Sequence, residues 1–262
     1  MLFLILLVFL FSSHSAVCEV QEDDGDFALK FLSQYHYISP TRSGNHDTKT
    51  GIKKFQEFFG LRATGELDDE TLNEMKKPRC GVPDVDDDMG RVKRYSVYGK
   101  KWWRSSFKYY LYKGEDMPES DQIRIIAKAF KYWSDATPKL RFTKTYATRN
   151  ANLKLSFGKT RHSGTPFEPL CTTVFDGKGG MFGHAFPPRD GRIHFDDDEY
   201  FTENGSMWNR SQGLLYNAVH EIGHALGLRH SNKKDSVMWP QPKRGVPTLS
   251  QDDINGIRYL FH

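Results

Sequence analysis

His220, Glu221, His224 and His230 stand together in the run His220-Glu221-Ile222-Gly223-His224-Ala225-Leu226-Gly227-Leu228-Arg229-His230. In a helix, residues four apart share a face one turn apart, so His220 and His224 can grip a single ion. Gly227 lets the chain leave the helix sharply and brings His230 round as a third ligand. Three imidazoles with one position left open form the donor set of a catalytic zinc, whereas a structural site closes all four positions. Glu221, beside the first ligand, is placed as general base for a water that zinc acidifies to a pKa of about 7. Adding Gly227 and His230 to the five-residue motif lowers its chance occurrence by about three orders of magnitude, which makes three unrelated histidines a poor explanation. Downstream, Ser236-Val237-Met238-Trp239-Pro240 supplies a methionine in a turn-like segment.

Something must hold these groups in place. The chain has 262 residues, 38% of them hydrophobic, with a formal charge of +4, which suits one ordinary domain plus a smaller one. The mild positive balance and the lack of a long Lys/Arg run argue against nucleic acid as a partner. Residues 1–11 (MLFLILLVFLF) are an unbroken apolar run. A transmembrane helix needs about 20 such residues, so the run reads as the core of a secretory signal peptide occupying residues 1–18. No Lys or Arg precedes it, and no second apolar segment follows, so the mature product is expected to carry no membrane anchor. The three cysteines, Cys18, Cys80 and Cys171, do not make a disulfide scaffold.

Beyond an acidic stretch (19–26), Phe27, Leu29, Phe31, Leu32, Tyr35 and Ile38 mark one helical face. Ile52, Phe55, Phe58 and Phe59 mark a second, and residues 67–75 a short third. Pro40, Gly44, Gly60 and Gly65 punctuate them, which predicts a small three-helix domain over 19–77. Residues 78–94, rich in Pro, Gly and Asp, read as an exposed linker. Past Tyr95 the pattern predicts strands at 107–112, 140–142 and 153–157 and helices at 121–133, 212–228 and 250–261. Ser120 or Asp121 is the expected cap of the first helix and Ser250 of the last. This order predicts an α/β or α+β domain over 95–262, with helices packed on a mixed sheet.

From about residue 26 to 262 the sequence resembles the matrix metalloproteinases, the matrixin branch of the metzincins, on the strength of the histidine motif and Met238. The resemblance implies a twisted five-stranded sheet with three helices, and Met238 as the apolar floor beneath the three histidines. It also implies an extended substrate lying along an edge strand near residues 179–186. Pro78-Arg79-Cys80-Gly81-Val82-Pro83-Asp84 matches the family's cysteine switch. A Cys80 thiolate in the fourth zinc position would exclude the catalytic water, with Arg79 and Asp84 paired to fix the loop. A plain loop cysteine and a disulfide to Cys171 are the alternatives. Arg91-Val92-Lys93-Arg94 then reads as a furin-type convertase site, with cleavage after Arg94 making residues 19–94 a pro-domain. The freed Tyr95 ammonium is expected to pair with Asp252.

The resemblance extends to two further sites. Asp176, Asp196 and Glu199, with the carbonyls of Gly177, Gly179 and Met181, correspond to the family's calcium loop. His162, His184 and His194 correspond to three ligands of its structural zinc. The family has Asp where this chain has Gly164, and the 14 positions from His162 to Asp176 are about twice the family's spacing. Glu168 and Cys171 are the candidate replacements, and Cys171 is preferred because thiolate suits zinc. A further family calcium site needs Asp where this chain has Asn152 and Arg192, and is not expected. Tyr216, four residues before His220, implies a shallow specificity pocket, while Pro240-Gln241-Pro242 departs from the family's Pro-x-Tyr wall. Asn204 and Asn209 begin glycosylation sequons. The expected molecule is a secreted, monomeric zymogen of a zinc endopeptidase acting on extracellular matrix or other extracellular proteins. A tissue-inhibitor-type protein is an expected partner, and no hemopexin-like domain is expected, since the chain stops at His262. Two rivals are a catalytically dead binding module and, from the three-helix region, a cell-wall or carbohydrate binder.

Overall fold

The apolar spacing of the first hundred residues does build helices, and in the computed structural model they are α1 (Asp24–Gln34), α2 (Thr48–Phe59) and α3 (Asp69–Met75). The structure describes residues 23–38, 47–85, 97–163, 169–208 and 210–262. The signal segment, Pro40, Gly44, Arg91 to Tyr95, Gly164, Glu168 and Asn209 lie outside the described residues. Asp47 caps α2 by accepting the Thr50 N–H at 3.0 Å, and Gly60 ends it in the left-handed region at φ 69°. Asp68 caps α3 through the Thr71 N–H. Phe31, Leu32, Phe55, Phe59 and Met75 form the shared core, and Trp239, from the far end of the chain, packs into it.

Six strands make the main sheet: β1 (Arg79–Cys80), β2 (Ser106–Leu111), β3 (Arg141–Lys144), β4 (Leu153–Gly158), β5 (Met181–Ala185) and β6 (Arg192–Asp196). Their order is β1-β5-β6-β4-β2-β3, with β5 antiparallel to β6 and the other pairings parallel. Five of these strands come from the region after residue 95, as expected. The sixth, β1, corrects the reading of an exposed linker for its described part, 78–85, because Arg79 and Cys80 are 3% and 0% exposed. The open edge of β5 satisfies the segment's polar backbone: Arg79 N–H donates to Gly180 O at 3.0 Å and Gly81 N–H to Gly183 O at 2.8 Å. A small separate pair, β7 (Phe201–Thr202) and β8 (Gln212–Gly213), was not foreseen.

Three helices complete this part: α4 (Glu119–Ala136), α5 (Leu214–Leu226) and α6 (Gln251–Leu260). α4 begins two residues before the expected Asp121, with Pro118 at the N-cap and no side-chain cap, so Ser120 and Asp121 fall inside its first turn. Proline's fixed φ sets the entry, and Gln122 ties the preceding loop by bonding Gly114 and Met117. Ser250 caps α6 as expected, in a reciprocal capping box with Asp253. α4 and α5 pack Ile125, Ile126, Trp133, Val219 and Ile222 against Leu153, Leu155, Ile193 and Phe195 of the sheet. The Trp133 indole donates to Val219 O at 2.9 Å, fixing α5 against α4. Among the described residues no helix is long and apolar enough to cross a membrane.

Candidate metal centre

His220 and His224 lie one turn apart on α5, which ends at Gly227 with φ 120°. This is the sharp exit that the motif requires, and beyond it the chain delivers His230 to the same point. The ring Nδ1 atoms face outward: His220 Nδ1 donates to Val237 O at 2.7 Å and His224 Nδ1 to Leu228 O at 2.9 Å. With those protons placed, the Nε2 lone pairs turn inward, and those of His220 and His224 lie 3.1 Å apart. His230 Nε2 is buried without a hydrogen-bond partner. The ligand atoms of Cys80, His220, His224 and His230 all lie within 4.8 Å of one another. Burial pushes the histidines' pKa values down, that of His220 to about 3, so the rings are neutral ligands. Three inward-facing imidazole nitrogens and a cysteine sulfur converging on one buried point could hold a metal ion, and three imidazoles plus a thiolate fit zinc.

Glu221 is fully buried, and neither carboxylate oxygen has a hydrogen-bond partner. Burial raises its pKa to about 8, against an opposing contribution from Cys80. A Cβ on Gly183 would stand 3.5 Å from Glu221 Oε1, so the carboxylate is directed at strand β5. Burial and the Glu221 charge push the Cys80 thiol well up, while the Val82 N–H, 3.4 Å from Sγ, opposes them. Cys80 N–H also donates to Pro240 O at 2.9 Å.

One contact was invisible to sequence reasoning. Asp84 Oδ1 accepts from both Arg79 and His230 Nδ1, each at 2.6 Å, while Oδ2 accepts the Tyr37 hydroxyl at 2.6 Å. Burial disfavours the Asp84 carboxylate, yet Arg79 and His230 outweigh it and hold its pKa well below the usual range. Arg79 also lies over the Tyr35 ring at 3.5 Å. The 78–84 segment therefore touches the metal centre twice, through Cys80 and through the outer nitrogen of His230. Nothing in the sequence links residues 146 positions apart.

The turn carrying Met238 is tied to α6, because Asp253 accepts the Val237 N–H at 2.9 Å. Gly223, between the two helical histidines, leaves space for Met238: a Cβ there would lie 2.5 Å from its sulfur. Tyr216 is buried, its hydroxyl 3.5 Å from Val237 O. Asp252, the expected partner of Tyr95, holds Lys233 and Ser231 at 2.8 Å each.

His162, Cys171, His184 and His194 form a second group with all ligand atoms within 4.8 Å. Cys80 and Cys171 are both free, so the alternative disulfide between them is not made. Among the described residues these two groups are the ones that converge so tightly, and Asp176, Asp196 and Glu199 do not. Those carboxylates nonetheless frame one loop. Asp176 accepts the Met181 N–H at 2.8 Å, Glu199 accepts the Gly179 N–H, and Glu199 N–H donates to Asp196 O at 3.2 Å. Asp196 Oδ2 is buried with no partner, and burial, with Asp198, Glu199 and Asp176 nearby, raises its pKa to about 6. A buried, orphaned carboxylate oxygen among other carboxylates fits a hard cation such as calcium.

Comparison with known proteins agrees with this geometry. The Matrixin family profile matches residues 101–262, and the profile described as a putative peptidoglycan binding domain matches residues 28–75, the three-helix region. The interstitial collagenase of Bos taurus is 38% identical over 98% of this chain and 54% of that protein. The macrophage metalloelastase of Oryctolagus cuniculus is 36% identical over all of this chain and 55% of that protein. Matrix metalloproteinase-18 of Xenopus laevis is 38% identical over 80% of this chain and 43% of that protein. The chain thus spans about half the length of the curated relatives it matches. With a catalytic-type histidine centre and a profile match over more than half its length, the chain belongs to the matrixin family.

Proposed function

We propose that this protein is a secreted zinc endopeptidase, made as a zymogen in which Cys80 blocks the metal centre and cleavage after Arg94 releases it. The observation that carries this reading is the convergence of three histidine nitrogens and the Cys80 sulfur within 4.8 Å, beside the buried Glu221. Residues 1–18 are the signal peptide, 19–94 the pro-domain and 95–262 the catalytic domain. His220, His224 and His230 would hold the zinc, which supplies Lewis acidity to activate water and polarise a peptide carbonyl. Glu221 takes the water's proton and passes it to the leaving amine. Its burial shields that proton from bulk water between the two halves of the task.

The substrate backbone takes the place that β1 holds in the zymogen. Gly180 O and Gly183 O, which accept from Arg79 and Gly81, become free acceptors for an extended peptide, as does Pro240 O. Tyr216 floors the pocket, which favours medium-sized aliphatic side chains. Matrix and other extracellular proteins are the proposed substrates, a choice supported by the collagenase and metalloelastase names of the relatives. A furin-type convertase and a tissue-inhibitor-type protein are the proposed partners of the monomer. Calcium is proposed for the loop of Asp176, Gly177, Gly179, Met181, Asp196 and Glu199.

The test is Glu221→Gln in the protein cleaved after Arg94, assayed on a quenched gelatin-type peptide. Loss of a general base lowers kcat by roughly 10²–10⁴-fold with the zinc content unchanged. Full activity in the variant would remove Glu221 from the reaction.

A further inference from the structure

The second histidine cluster contains a donor that the family pattern does not supply. We propose that His162, Cys171, His184 and His194 form a closed, four-ligand structural zinc site in which the Cys171 thiolate replaces the carboxylate missing at Gly164. It shares no residue with the centre that holds His220, and so stands or falls apart from the peptidase reading.

Four features of the fold build this site. His184 and His194 are register partners across the antiparallel β5–β6 pair, so the sheet itself fixes two donors side by side. His162 follows β4, and its Nδ1 donates to Thr160 O at 2.9 Å. That bond leaves His162 Nε2 facing inward, 3.3 Å from His184 Nε2 and 3.0 Å from His194 Nδ1. The ring is clamped further by Phe175, stacked on it at 4.2 Å between centroids. Cys171 is drawn to the same point by its own backbone, its N–H donating to His162 O at 2.7 Å, and its sulfur lies 3.5 Å from His184 Nε2.

The chemistry of this donor set is selective. All four residues are buried, and the three rings crowd His162 Nε2, His184 Nε2 and His194 Nδ1 round one point. The group contains no carboxylate, which disfavours calcium and magnesium, while three imidazoles and a thiolate match tetrahedral zinc. Four protein donors leave no position for water or substrate, so the site acts on the fold. It ties the segment after β4 to the β5–β6 pair, next to the edge where β1 lies.

Cobalt substitution tests this directly, because thiolate-bound cobalt absorbs through a sulfur-to-metal charge-transfer band that imidazole and carboxylate ligands lack. The experiment uses the full chain as Cys18→Ser/Cys80→Ser, in which Cys171 is the last thiol. The band is expected in this protein, with about two metal ions bound per chain, and should vanish on further Cys171→Ser substitution. Cys171→Asp should keep the second ion without the band. Absence of the band while two ions are bound would overturn the thiolate assignment. Two ions held with unchanged affinity in Cys171→Ala would overturn it as well. None of these readouts involves peptide hydrolysis, so they are independent of the fate of Glu221.

Discussion

Asp196 shows at the level of one side chain how burial among like charges is written into protonation. In an unfolded chain an aspartate titrates near 3.9, whereas in the folded protein burial raises Asp196 to about 6. Between these values the folded state binds more protons than the unfolded one. Its stability contribution is therefore present at low pH and lost as pH rises through about 6. Calcium bound at this loop, as proposed, would reverse the sign by pairing with the ionised form. Added calcium should raise the melting temperature more at about pH 7 than at about pH 5, as followed by thermal unfolding. An equal rise at both pH values would detach Asp196 from the calcium loop. Glu221 is the same physics put to another use: a carboxylate kept short of partners by burial, here beside histidine ligands instead of other acids.

At the scale of elements, α5 carries the tightest constraint. A methyl group on Gly223 would meet the Met238 sulfur at 2.5 Å and the Trp133 ring at 2.9 Å, between a turn held by Asp253 and an indole bonded to Val219. Gly223→Ala should therefore destabilise the fold by about 1–3 kcal/mol despite alanine's better helix propensity. Gly25→Ala in α1, where the nearest atom is 3.5 Å away, should be neutral or stabilising by up to about 1 kcal/mol. Urea unfolding of both variants checks the contrast. Helices of this kind were legible in the sequence, because His220, His224 and Gly227 follow the helical period and its exit, and Ser250 with Asp253 spells a cap. β6, and β5 apart from the family's expectation of an edge strand, were not legible. Their residues are buried almost throughout, so no alternation of period two marks them. The start of α4 was missed because a proline cap leaves no side-chain signature of the Ser or Asp kind. The tie between Asp84 and His230 was beyond reach for a different reason: it exists only once the sheet edge has taken up β1.

Across the whole molecule, the N-terminal helices and the sheet domain are joined at the catalytic side. Trp239 follows the methionine of the turn and is 5% exposed, its ring 5.0 Å from Phe59 and 6.2 Å from Phe58. Tyr37 and Tyr35 hold Asp84 and Arg79 from the helical side, and those residues in turn position Cys80 over the histidines. One continuous run of contacts thus leads from the helical core to the histidine cluster. The motif residues at both ends of that path were readable in the sequence, but the aromatic contacts between them belong to the assembled fold. The most direct measurement is hydrolysis of a quenched gelatin-type peptide by the secreted chain before and after treatment with a furin-type convertase. The account predicts silence before the cut, chelator-sensitive hydrolysis after it, and continued silence in Arg94→Ala. Equal hydrolysis before and after, or hydrolysis that survives removal of zinc, would contradict it.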